Sequence, residues 1–180
     1  MNRDQPVYDN VAYYVYNRGN RKEQIFGDIF DYHVFSDRLK VASTKYRIQL
    51  EAYCLMSNHF HLLVMQNHGG SPPRFMNSVA TSLAQRYNLE YGQVGHVLQS
   101  HYRYKPICVA RYIHLNPVKA RLVALPEDWP HSDFSEWVRK ASSEKGVHQL
   151  AKNKNDGHLL PMTPDDYVAS VRMICQSTRI

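Results

Sequence analysis

The sequence predicts an α+β domain of ferredoxin-like type, an antiparallel sheet with helices packed on one face, plus a C-terminal helical extension. Three observations carry that prediction. Short runs of aromatic and β-branched residues alternate with stretches of helical periodicity in the order β-α-β-β-α-β-α. The two middle strands are separated only by turn residues. The 180-residue length allows one such domain with a terminal addition.

Tyr8 to Tyr16 (YDNVAYYVY) reads as the first strand, ending at the cationic turn Arg18-Gly19-Asn20-Arg21-Lys22. From Asp28 to about Lys45, Ile29, Phe30, Val34, Phe35, Leu39 and Val41/Ala42 fall near one stripe, as on a helix. Arg47 to Met56 and Phe60 to Gln66 read as an antiparallel pair joined by Ser57-Asn58. Gly69-Gly70-Ser71-Pro72-Pro73 breaks the chain. Ser71 is placed to cap the helix that follows, with proline in its first turn. Phe75, Val79, Leu83 and Tyr87 then recur at helical spacing until Tyr91-Gly92. Val94 to Tyr104 reads as a further strand. Pro106 opens a short helix to about Leu115, stopped by Pro117. Residues 1–140 form the expected domain. Residues 141–157 are polar and linker-like, and Thr163 to Cys175 has the cap and first-turn proline of a terminal helix of unknown role.

Composition narrows the function classes. Hydrophobic residues make up 43% and charged residues 21%, as in an ordinary globular protein. The formal charge of +6 suits a polyanionic partner without proving one. Thirteen tyrosines exceed the usual share; most are expected in the core or on a sheet face, and some beside cations are able to stack on unpaired bases. Cys54, Cys108 and Cys175 are too scattered for a disulfide framework or a thiolate zinc site. No apolar leader and no stretch of membrane-spanning length is seen, so a cytoplasmic protein without membrane contact is expected.

Two segments are able to do chemistry. In His59-Phe60-His61, strand alternation sends both imidazoles to one face and Phe60 to the other, and paired imidazoles take a divalent ion. Two ordinary sheet histidines are the plainer reading of so short a motif. Deaminase chemistry is excluded, since neither H-x-E nor P-C-x-x-C occurs. In Ala110 to Val118, Tyr112 and Asn116 stand at i and i+4 and share a helix face. Asn116 offers a hard amide oxygen as a third ligand; otherwise it caps the helix before proline.

Taken together these segments resemble a known family. Leu55-Met56-Ser57-Asn58-His59-Phe60-His61-Leu62-Leu63 is similar to the histidine–hydrophobe–histidine (HUH) box of single-tyrosine transposases, the IS200-like group. Arg111 to Ala120 resembles the tyrosine helix of its branch of REP-associated tyrosine transposases. Tyr16 to Arg21 with Ile25-Phe26, and Asp128-Trp129-Pro130-His131-Ser132-Asp133-Phe134, resemble two further segments of that branch. The likeness spans roughly residues 8 to 137.

The resemblance implies a DNA transposase or single-strand endonuclease that cuts and rejoins single-stranded DNA beside a hairpin (palindromic repeat), using Mg²⁺ or Mn²⁺ and no ATP. It implies Tyr112 as nucleophile, joined to the 5′ phosphate, with His59, His61 and Asn116 as metal ligands. Arg18, Asn20, Arg21, Lys22, Arg103 and Lys105 are the expected nucleic-acid contacts, by ion pairing and base stacking, whereas Arg74 and Arg86 are expected to face solvent. A monomer or a homodimer fits the branch and its simpler relatives. The segment from Tyr104 to Tyr112 is shorter than in the family. That leaves a hairpin-binding protein without cleavage as the alternative, and a water-using hydrolase with Tyr112 idle as a third.

Overall fold

The computed structural model describes residues 12–99, 103–106 and 110–143. Four strands form one antiparallel sheet in the order β2-β3-β1-β4. They are β1 Ala12–Arg18, β2 Ile48–Met56, β3 His59–Gln66 and β4 Arg103–Pro106. Helices α1 Ile29–Tyr46 and α2 Pro72–Glu90 fill the two crossovers. This is the expected ferredoxin-like α+β arrangement. Three short helices follow: α3 Ala110–His114, α4 Asn116–Lys119 and α5 Phe134–Ser143.

Local chemistry sets the ends of the long helices. The Asp28 carboxylate accepts from the Asp31 N–H and caps α1, and Arg47 closes that helix in the left-handed region at φ 54°. Ser71 caps α2, with Pro72 and Pro73 just inside it. One face of the sheet is covered by these two helices. There Tyr13 and Val15 of β1, Leu55 of β2, and Phe60, Leu62 and Val64 of β3 pack with Phe35, Leu39, Phe75 and Val79.

The other face is covered in part as well. Ala12, Ala52, Cys54, Met56 and Leu63 form a second, smaller core there, closed by Ile113 of α3 and by Trp129. Alternation makes the two cores complementary, because each strand sends every second side chain across the sheet.

Two sequence readings are corrected. Residues 94–98 make no regular strand. Gly92 and Gly95 take φ of 60° and 96°, Val94 is exposed, and within that stretch only an isolated bridge from Leu98 to Gly19 joins the sheet side. Pro106 does not open a helix either: it is the last residue of β4, and α3 begins at Ala110 and ends at His114, near the expected end, with Pro117 in the first turn of α4. The helix α5 runs through Ser143, past residue 140. The linker beyond it and the helix read over Thr163–Cys175 lie outside the described residues.

Arg86 is also not a solvent-facing cation. Its Nη2 lies 3.2 Å from Asp31 Oδ1. Asp31 is 5% exposed. Its Oδ2 accepts from the Gly27 N–H at 2.8 Å and from the Tyr91 hydroxyl at 2.6 Å. Arg74 is exposed, as expected. Burial is the largest influence on the Asp31 carboxyl and would raise its pKa. The hydrogen bonds from Tyr91, Gly27, Arg86 and the backbone prevail, holding it below its ordinary 3.8. A carboxyl lowered on folding contributes stability above its unfolded pKa and loses it as pH falls through the folded value. The melting temperature is therefore expected to drop as pH falls below about 4, and Asp31→Asn to flatten that dependence while lowering stability at neutral pH. A variant whose acid profile overlays that of the native chain would contradict this assignment.

Candidate active site

The site is built on the turn between β2 and β3. Ser57 O accepts from the N–H groups of Ile25 and Phe26, and Asn58 O from that of Gly19, at 2.8 to 3.1 Å. Gly19 has to be glycine, since a Cβ there would overlap the carbonyl oxygen of Glu23. The chain then turns sharply through Arg21 and Lys22, both at positive φ (52° and 66°). The cationic turn and the hairpin tip are therefore one rigid unit. Asn20, Arg21 and Lys22 are exposed on it.

On β3, His59 and His61 project to the face away from α1 and α2, while Phe60 is fully buried between sheet and helices. The two imidazole rings lie 4.9 Å apart, edge to face. Each ring is held by its Nδ1 atom. His59 Nδ1 is 2.6 Å from Asn58 Oδ1, and Asn58 Nδ2 donates in turn to Lys22 O at 3.0 Å. An amide oxygen only accepts, so His59 Nδ1 carries the proton and its Nε2 presents a lone pair. His61 Nδ1 is 2.7 Å from the Tyr14 hydroxyl. Its Nε2 is buried without a hydrogen-bond partner.

Burial, then the charge of Arg18, lowers the pKa of His59 to about 4. Burial, then His59, lowers that of His61 to about 3. Both rings are thus neutral at physiological pH, the form that binds metals.

Register brings the remaining groups to the same rows of the sheet. Arg18 pairs with His59, and Tyr16 with His61. On the other side of β1, Tyr16 pairs with Arg103 and Tyr14 with Lys105. Of the expected nucleic-acid contacts, Arg18 stands beside the imidazoles, with its Nε buried and unpaired, and Arg103 and Lys105 occupy neighbouring backbone positions.

Tyr112 reaches the site from α3. Its ring stands edge-on to His61 at 6.1 Å and to Tyr14 at 6.0 Å, and it is 43% exposed, open enough for a large substrate to approach. Lys119 Nζ lies 4.4 Å from the same ring centre. The short helix is anchored from below. Ile113 enters the second core. His114 is fully buried, with Nε2 3.0 Å from Asp133 Oδ1, and that same oxygen accepts from the Tyr53 N–H of β2 at 2.7 Å. Asn116 Nδ2 donates to the carbonyls of Tyr112 and Ile113 at 2.8 and 3.1 Å. Its amide nitrogen thus caps α3, leaving Oδ1 as its acceptor.

Sequence reasoning missed Tyr14, and it read Asn58 only as a turn residue. The i, i+2, i+4 run of Tyr14, Tyr16 and Arg18 was the available signal. Its meaning depends on strand register, which no local pattern specifies.

Comparison with known proteins decides the family. Residues 7–114, more than half of the chain, match the family described as "Transposase IS200 like". The chain belongs to the IS200-like transposase family. Among solved structures, this transposase is similar to one described as the REP associates tyrosine transposase bound to a REP hairpin. The TM-score is 0.64 at 15% identity, over 78% of this chain and 86% of that one. At that identity the likeness is one of fold. A putative transposase from Deinococcus radiodurans R1 is more distant, with TM-score 0.46 and 17% identity over 68% of this chain and 92% of that one. No curated protein sequence matches the chain. Among the described residues of the transposase, no helix is long and apolar enough to cross a membrane.

Proposed function

We propose that this transposase cleaves and rejoins single-stranded DNA next to hairpins, with a divalent metal and through a 5′-phosphotyrosine at Tyr112. The observation that carries the proposal is the meeting of Tyr112, His59 and His61 on one face of the sheet, from two separate segments of the chain. The solved relative of the same fold, described as bound to a REP hairpin, supports a hairpin substrate.

The residues fit a cation. His61 Nε2 is a buried atom without a partner, His59 Nε2 carries a lone pair, and both rings are neutral. Among the described residues no three His, Cys, Asp or Glu side chains converge, so further ligands would come from Asn116 Oδ1, water and the DNA itself. Mg²⁺ or Mn²⁺ suits such a mixed nitrogen and oxygen set. Once bound, such an ion would neutralise the nonbridging oxygens of the scissile phosphate.

The chain's own groups do the rest. Arg18, the exposed turn Asn20-Arg21-Lys22, and Arg103 and Lys105 of β4 hold the strand by its phosphates. Tyr112 Oη attacks phosphorus, and the bond from phosphorus to the 3′ oxygen breaks. The phenol proton passes to solvent, which the exposure of Tyr112 allows, and the 3′ oxygen takes up a proton. Rejoining reverses the step, since the phosphotyrosine ester preserves the bond energy.

The test is a labelled hairpin oligonucleotide with a single-stranded flank, incubated with the transposase and Mg²⁺ or Mn²⁺. The expected result is a denaturant-resistant protein–DNA band that disappears on chelation. Hairpin binding without that band would overturn the proposal and assign the chain as a hairpin-binding protein.

A further inference from the structure

The Tyr14 side chain touches both halves of the site. Its hydroxyl lies 2.7 Å from His61 Nδ1. Its ring stacks against His61 at 5.8 Å and 19° and meets Tyr112 edge-on. A hydroxyl has one proton to give and lone pairs to accept with. If that proton went to His61 Nδ1, the proton of the neutral imidazole would sit on Nε2, as a buried donor with nothing to receive it. The opposite polarity leaves no such orphan donor: His61 Nδ1–H donates to the Tyr14 hydroxyl, which is half-buried and turns its own proton to solvent.

We propose that Tyr14 is a positioning residue that fixes His61 with its Nε2 lone pair bare, while its ring packs edge-on against Tyr112. The proposal rests on the site reading of the preceding section. Asn58 performs the corresponding task on His59, so both rings are bound through Nδ1 and both Nε2 atoms stay available. Partners of this kind on metal-binding histidines orient the ring and raise its basicity.

Imidazole ¹⁵N NMR of the metal-free, DNA-free transposase tests the polarity directly. His61 is expected to show a protonated Nδ1 and a bare Nε2 in the native chain, and a mixture of tautomers in Tyr14→Phe. Two further readouts follow. Mn²⁺ affinity, read by electron paramagnetic resonance without DNA, is expected to weaken roughly 10-fold in Tyr14→Phe. Adduct formation at saturating Mn²⁺ is expected to stay within about twofold, because phenylalanine keeps the edge-on contact with Tyr112. A second variant, Tyr14→His, retains a ring nitrogen for hydrogen bonding and is expected to recover part of the Mn²⁺ affinity. A native chain with His61 protonated on Nε2, or a Tyr14→Phe chain with an unchanged tautomer, would overturn the role of Tyr14. A native chain with the stated tautomer that takes up no Mn²⁺ would instead overturn the metal site proposed above.

Discussion

Tyr112→Phe is expected to form no covalent adduct with a hairpin oligonucleotide, a loss of at least about a thousand-fold, while binding it within about twofold of the native chain. The ring itself makes the contacts that hold the residue: edge-on packing to His61 and Tyr14 and the cation of Lys119. Phenylalanine keeps all of them. Only the oxygen is lost, so fold and DNA affinity should survive and the chemistry should not. The experiment separates two mechanisms that share every other residue. A hydrolase using water would keep cutting in Tyr112→Phe, with a free 5′ phosphate and no bound protein. Denaturing gels of the labelled strand distinguish the products, and continued cutting would remove Tyr112 from the mechanism.

Phe60→Ala is expected to destabilise the domain by about 3–5 kcal/mol, read as a shift in urea or thermal unfolding. Phe60 is fully buried and packs 5.1 Å from the ring of Phe35, opposite Leu55 on β2. Truncation leaves a large void that sheet and helix are too rigid to close. Against a typical domain stability of about 5–15 kcal/mol, the loss is a substantial fraction of the whole. The same residue spaces His59 and His61 along β3, so the core side chain and the two imidazoles share a strand and a register. Phe60→Leu, which keeps most of the volume, should cost about 1 kcal/mol. Equal losses in the two variants would mean that packing at this point does not govern stability.

Much of the fold was legible because its signals are local. The helical period of α1, the Ser71 cap of α2 and the two-residue turn between β2 and β3 all follow from neighbouring residues. Of the stripe read on α1, however, only Phe35, Leu39 and Ala42 are buried, while Ile29, Phe30 and Val41 are exposed. The pairing of His59 and His61 on one face follows from alternation alone. What stayed hidden depends on residues far apart in the chain. Arg86 looks like a surface cation until Asp31, 55 positions away, is placed beside it. Val94 looks like a strand residue, yet the glycines on either side of its turn leave it in solvent. The side of the sheet that α3 takes could not be read from its five residues. Ile113 and His114 go inward because Asp133 and Trp129 are waiting on that face.

The segment from Trp129 to Asp133 has a further consequence. Strand β2 lies at the border of the sheet, where unpaired peptide groups invite a foreign strand. Here Leu55 N–H donates to His131 O, Tyr53 N–H to the Asp133 carboxylate, and Asp133 N–H to Tyr53 O, so the border is already paired at Tyr53 and Leu55. The family match stops at residue 114, before His131 and Asp133. The cover over this part of the border therefore comes from residues beyond the shared family region.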